Sequence, residues 1–139
     1  MKITLATLAA FVAFTSAAIV EDPVLGPGPD GQPLPLDLNS AEIKWSQADN
    51  RPVYLFLANY MDSKYPPECI SIAKSIDPSS GQYMIPAGSI NCSVSGGSGY
   101  QFRLSYEDNC CSIQAQNNKP FNVAPYTPSD PTACGSRTC

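Results

Sequence analysis

Six cysteines, at positions 69, 92, 110, 111, 134 and 139, are the residues of this chain able to change its covalent structure, and two of them are adjacent. Thiols at this density support redox catalysis, metal ligation or cross-linking. Redox catalysis needs a depressed thiol pKa, usually from a nearby base or a helix N-terminus in a C-x-x-C setting, and Cys110 and Cys111 have neither. The chain has no histidine, which excludes histidine triads and histidine-based metal sites. No spaced run such as D-x-D-x-D offers calcium ligation, so no metal and no cofactor is expected. Cross-linking remains: Cys69, Cys92, Cys110, Cys111, Cys134 and Cys139 can form up to three disulfides in an oxidising compartment, with about 15 connectivities.

Adjacent cysteines on an extended segment point in opposite directions, so Cys110 and Cys111 should reach different partners rather than each other. Cys134 and Cys139 flank the four-residue loop GSRT. They could close it locally, leaving Cys69 and Cys92 to pair with Cys110 and Cys111. The other arrangement ties the tail to the domain through one of the last two cysteines, and the sequence leaves both open.

Carboxylates are the remaining catalytic option. Glycoside cleavage needs two of them at a defined separation, one with a raised pKa. Glu68, Asp77, Glu107 and Asp108 all sit beside turn residues, where solvation is the default. No catalytic residue is assigned, and a non-enzyme is expected. Asn91-Cys92-Ser93 is the single N-x-[ST] sequon; it is a glycosylation candidate if Asn91 lies on a surface loop and Cys92 does not bond early. Tyr60 and Tyr65 are candidate binding residues, since tyrosine offers an apolar face with a polar rim to a sugar or another protein.

These residues must be positioned by the 139-residue chain around them. Met1 and Lys2 lead into the apolar run ITLATLAAFVAF and the small residues TSAA, which is the layout of a secretory signal peptide over residues 1–18, cut after Ala18 or Ala17. Removing it takes away Lys2 and no acid, so the formal net charge goes from −4 to −5. That mildly acidic balance argues against nucleic acid and anionic membranes as partners. The polar C-terminus lacks the apolar tail of a lipid-anchor signal, so no membrane anchor is expected and the chain should be secreted.

Residues 19–39 carry five prolines and read as an extended Pro/Gly-rich tether. From residue 40 the pattern changes. Ile43 and Trp45 alternate with Glu42 and Lys44 as on a half-buried strand, and Val53 to Leu57, VYLFL, form a continuous apolar run that reads as a strand buried on both faces. CISIAKSI (69–76), QYMIP (82–86), CSIQA (111–115) and PFNV (120–123) supply further strands. The clearest strand has Tyr100, Phe102 and Leu104 on one face, with Gln101 and Arg103 on the other. No window shows a capped helical stripe. About seven short strands separated by turn residues predict an all-β, disulfide-stapled sandwich of the Ig-like or fibronectin-III-like kind over residues 40–124, followed by a Cys-containing polar tail, 125–139. The expected core is Ile43, Trp45, Val53, Leu55, Leu57, Ile70, Ile72, Tyr83, Ile85, Tyr100, Phe102, Leu104, Ile113, Phe121 and Val123. A domain of this size buries only roughly 60% of its unfolded surface. Bridges worth about 2–4 kcal/mol each would therefore matter.

The order of four pieces carries a resemblance. They are Ile43-Lys44-Trp45-Ser46 with Val53-Tyr54-Leu55-Phe56-Leu57; Ser80-Gly81-Gln82-Tyr83-Met84-Ile85-Pro86; Gly99-Tyr100-Gln101-Phe102-Arg103-Leu104; and Lys119-Pro120-Phe121-Asn122-Val123. Together they resemble the Ig-like domain of the fungal Kre9/Knh1-like cell-wall family, also found at the front of Ser/Thr-rich GPI-anchored wall proteins. Met84 stands where that family often has Trp, and the cysteines are additional to its pattern. The resemblance implies a secreted, non-catalytic module of the fungal cell wall or extracellular matrix. Its partners would be wall polysaccharide such as β-glucan, or an extracellular protein. The rival expectation is a secreted effector or inhibitor that binds a protein of another organism.

Overall fold

The computed structural model describes residues 17–61, 67–132 and 134. Among them the chain forms eight strands in two sheets and one short 3₁₀ turn. The strands are β1 (Ile19–Val20), β2 (Glu42–Ser46), β3 (Val53–Asn59), β4 (Glu68–Ile76), β5 (Gln82–Met84), β6 (Gly97–Ser105), β7 (Ala115–Gln116) and β8 (Phe121–Val123). One sheet has the order β1-β2-β5. The other runs β4-β3-β6, with β7 and β8 pairing in turn along the far side of β6. All of these pairings are antiparallel, as short loops allow.

Period-two patterning decides which side chains meet between the sheets. Ile43 and Trp45 point inward from β2 while Lys44 is exposed. From β6, Tyr100, Phe102 and Leu104 are buried, and the Phe102 ring lies 4.9 Å from that of Phe121. Val53, Leu55 and Leu57 of β3, with Ile70, Ile85 and Val123, complete the layer. The Trp45 indole N–H is not wasted: it donates to the Pro78 carbonyl at 3.0 Å, on the 3₁₀ turn that Asp77 caps.

β3 is buried on both faces, as its unbroken apolar run predicts. Phe56 and Ala58, on its outer face, lie in a second cluster with Cys69, Cys110 and the partly buried Tyr54 and Tyr60. β4 forms the margin of this sheet. It is irregular: its register with β3 shifts twice near Leu55, and Ser75 takes a left-handed φ of 54°.

Three expectations are corrected. Residues 19–39 are not a free tether. Val20, Leu36 and Leu38 are buried, β1 pairs with β2, and Leu36 bridges in parallel to Val123, so the segment straps both sheets. Apolar side chains before the first proline and after the last supply the burial that holds it. Asp22 fixes its start by accepting from the Lys119 backbone N–H at 2.9 Å and from the Asn117 amide at 3.1 Å. Those bonds, the backbone one foremost, hold the Asp22 pKa below the ordinary value against the opposing effect of desolvation.

CSIQA is not a five-residue strand either. Cys110 and Cys111 lie in a turn closed by the Ser112 N–H donating to the Asn109 carbonyl, and only Ala115–Gln116 pair with β6. The Asn109 side chain drives this turn by accepting from the Cys111 N–H at 3.0 Å. Consequently Ile113, expected in the core, is 43% exposed; Ile72 on β4 and Tyr83 on β5, also expected there, are only partly buried. Between β7 and β8 the ladder is continued by a side chain: the buried Asn117 accepts from the Phe102 N–H at 2.7 Å.

Candidate functional site

Two disulfides, Cys69–Cys110 and Cys92–Cys134, flank a groove of about 240 Å³. The local-loop pairing of Cys134 with Cys139 is thereby corrected, because Cys134 reaches back to Cys92 and ties the tail to the domain. Cys111 is also disulfide-bonded, whereas Cys139 lies outside the described residues. The two cysteines of the adjacent pair do diverge, Cys110 being buried and Cys111 exposed, but a turn separates them rather than an extended strand.

The groove draws on segments far apart in the chain. Phe56 from β3, Ile70 from β4 and Ile90 from the loop before β6 supply apolar lining. Ser71, Ser89, Asn91 and Thr132 supply hydroxyls and an amide. The charges on its rim cancel, since Lys74 Nζ lies 2.8 Å from Asp108 Oδ2. A neutral trough with apolar floor and hydroxyl-rich rim favours an uncharged polar ligand over a strongly charged one, because burying an unpaired charge there would cost solvation.

The outer face of the five-stranded sheet carries an arginine–aromatic stack. The Arg103 guanidinium lies 4.3 Å from the centroid of the Tyr60 ring. Arg103 also donates to the Cys110 carbonyl at 3.4 Å and to Gln116 Oε1 at 3.3 Å. Burial pulls its pKa down, opposed by Tyr60, yet a guanidinium keeps its charge throughout the biological range. Tyr60 is therefore half-buried instead of the exposed platform its loop position suggested, with one ring face taken by Arg103. Tyr65, its proposed companion, lies outside the described residues.

Three of the four carboxylates weighed for catalysis, Glu68, Asp77 and Asp108, have architectural partners. Glu68 Oε2 accepts from the Tyr100 hydroxyl at 2.7 Å, and Asp108 pairs with Lys74. Asp77 accepts from the side chain and backbone of Ser79, and these bonds hold its pKa below the ordinary value. The Glu107 backbone N–H donates to Ser105 Oγ at 3.0 Å. Among the described residues no three His, Cys, Asp or Glu side chains gather closely enough to hold a metal.

Asn91 is exposed, in the loop between β5 and β6, and its carbonyl accepts from the Thr132 N–H at 2.7 Å. That loop is better ordered than its Gly/Ser content suggests. Ile90, Cys92 and Val94 are buried in alternation with exposed Ser89, Asn91, Ser93 and Ser95. Val94 exchanges backbone hydrogen bonds with Tyr126, whose hydroxyl donates to the Ile90 carbonyl at 2.9 Å. The groove residues Ile90 and Thr132 were not singled out from sequence. The alternation INCSV was the available signal for Ile90; Thr132 had none, because its place depends on the tail crossing back to this loop.

The profile of the Kre9/KNH-like N-terminal Ig-like domain matches residues 31–123. No curated protein and no solved structure matches the chain.

Proposed function

The chain belongs to the Kre9/KNH-like N-terminal Ig-like domain family, and from that premise we propose that it acts outside the cell as a non-catalytic structural or binding module of the fungal cell wall or its surrounding matrix. The reach of the match carries this reading, since residues 31–123 take in the later part of the N-terminal strap and the sandwich from β2 to the end of β8. The family association is with secreted wall proteins, and the opening signal-like segment agrees with it. Among the described residues no helix is long and apolar enough to cross a membrane.

The groove between the bridges is the surface we assign to ligand contact. Its hydroxyl rim matches the hydrogen-bonding of a neutral polysaccharide, its apolar floor accepts the C–H face of a sugar ring, and its paired charges add no demand for an ionic partner. The experiment is retention of the purified protein on washed fungal wall and on insoluble β-glucan. Retention that falls when Ser71→Trp fills the groove supports the proposal. Release from both materials, with capture of a specific foreign protein, would favour a secreted effector or inhibitor instead. Turnover of a polysaccharide would overturn the non-catalytic part.

A further inference from the structure

We infer that Asn91 carries an N-linked glycan, seated on the rim of the groove between the two disulfides; this rests on the reading of the chain as secreted. The alternation of the loop turns Ile90, Cys92 and Val94 inward, and leaves Asn91 and Ser93 on one exposed side. A glycan joined to Asn91 before folding is therefore left in solvent once the loop folds, and burial of Cys92 is not obstructed. The fold uses Asn91 through its backbone, whose carbonyl receives the Thr132 N–H and hydroxyl. Among the described residues no hydrogen bond occupies its side-chain amide.

The competing event is closure of Cys92 into its disulfide, and connectivity decides the order. The partner, Cys134, lies 42 residues downstream. At synthesis rates of about 5–20 residues per second, it follows the sequon by roughly 2–8 s. The sequon therefore meets the transferase while Cys92 still lacks its native partner. The donor is a lipid-diphosphate-linked oligosaccharide. Its C1–O bond to the diphosphate breaks, a bond forms between C1 and Asn91 Nδ2, and the amide gives up one proton to solvent as the lipid diphosphate leaves. Asn91 also borders a second cleft of about 290 Å³, lined by Gly88, Tyr126 and Asp130.

The test is the intact mass of the full chain recovered from the medium of a glycosylating eukaryotic host, before and after peptide-N-glycosidase. The expected result is loss of one glycan mass with conversion of Asn91 to Asp, absent in Asn91→Gln and Ser93→Ala and retained in Ser93→Thr. A second version, with residues 1–18 replaced by an unrelated secretory leader, tests the sequon even where the native leader fails. Failure of only the native version to reach the medium strikes the secretion reading alone, whereas a secreted chain with unmodified mass overturns the glycan. Cys134→Ser should leave occupancy unchanged. A marked rise in that variant would overturn the order of events.

Discussion

The two described bridges enclose nearly identical loops, 41 residues for Cys69–Cys110 and 42 for Cys92–Cys134. Restriction of the unfolded chain alone would make them equal, at about 4 kcal/mol each. Their native settings differ. Cys69–Cys110 lies against Phe56 and Ala58 on the central strand, under Tyr60 and Arg103. Cys92–Cys134 holds the end of a polar tail that beyond Tyr126 is mostly exposed and makes its described backbone contact through Thr132. Cutting the first leaves a packed sheet face open. Cutting the second frees a segment that gains entropy in the folded state as well, which offsets much of the loss. A cross-link is thus worth what it prevents in both states, and loop length measures only one of them.

The sharpest way to break this comparison is to remove each bridge. Cys69→Ala with Cys110→Ala should lose about 4–5 kcal/mol in chemical denaturation, the loop term plus lost packing. Cys92→Ala with Cys134→Ala should lose roughly 2 kcal/mol, with hydrogen exchange accelerating in residues 127–134 before the sandwich strands. Equal losses would show that the native surroundings do not matter.

Tyr126→Phe comes next. It removes the hydroxyl that satisfies the Ile90 carbonyl and should cost about 1–2 kcal/mol while leaving both bridges closed. Acidification sharpens the comparison from the N-terminal side. Asp22 and Asp77 have folded pKa values below their ordinary ones, so their contribution is present above about pH 4 and is lost as pH falls through the depressed values. Denaturation midpoints should decline in that window, less steeply in Asp22→Ala. Least is expected of Lys74→Ala: its ion pair with Asp108 is solvent-exposed, and the change should be under about 0.5 kcal/mol. A larger loss would mean that the groove rim supports the fold.

How much of this was legible depended on whether the signal was local. The VYLFL run announced a strand covered on both sides, and the Tyr100-Phe102-Leu104 alternation announced the inward face of β6, because burial and pleat act residue by residue. The strap was misread because five prolines outweighed the buried Val20, Leu36 and Leu38, although proline is tolerated wherever a donor is not required. The turn at Cys110 was misread because β-propensity in CSIQA was set above the Asn109 side chain, which captures the Cys111 N–H. The candidate groove was illegible in principle. It exists only once two disulfides bring β4, the loop before β6 and the tail to one place, and disulfide connectivity is not written in cysteine spacing.

The irregular margin at β4 has a consequence for encounters between copies of the chain. A nine-residue border strand with unbroken pleat would invite a neighbouring molecule to zip alongside it. Here the left-handed Ser75 and the shifted register bend the border, so two copies brought together would meet mismatched pleats. The fold thus carries its own guard against edge-to-edge pairing along β4.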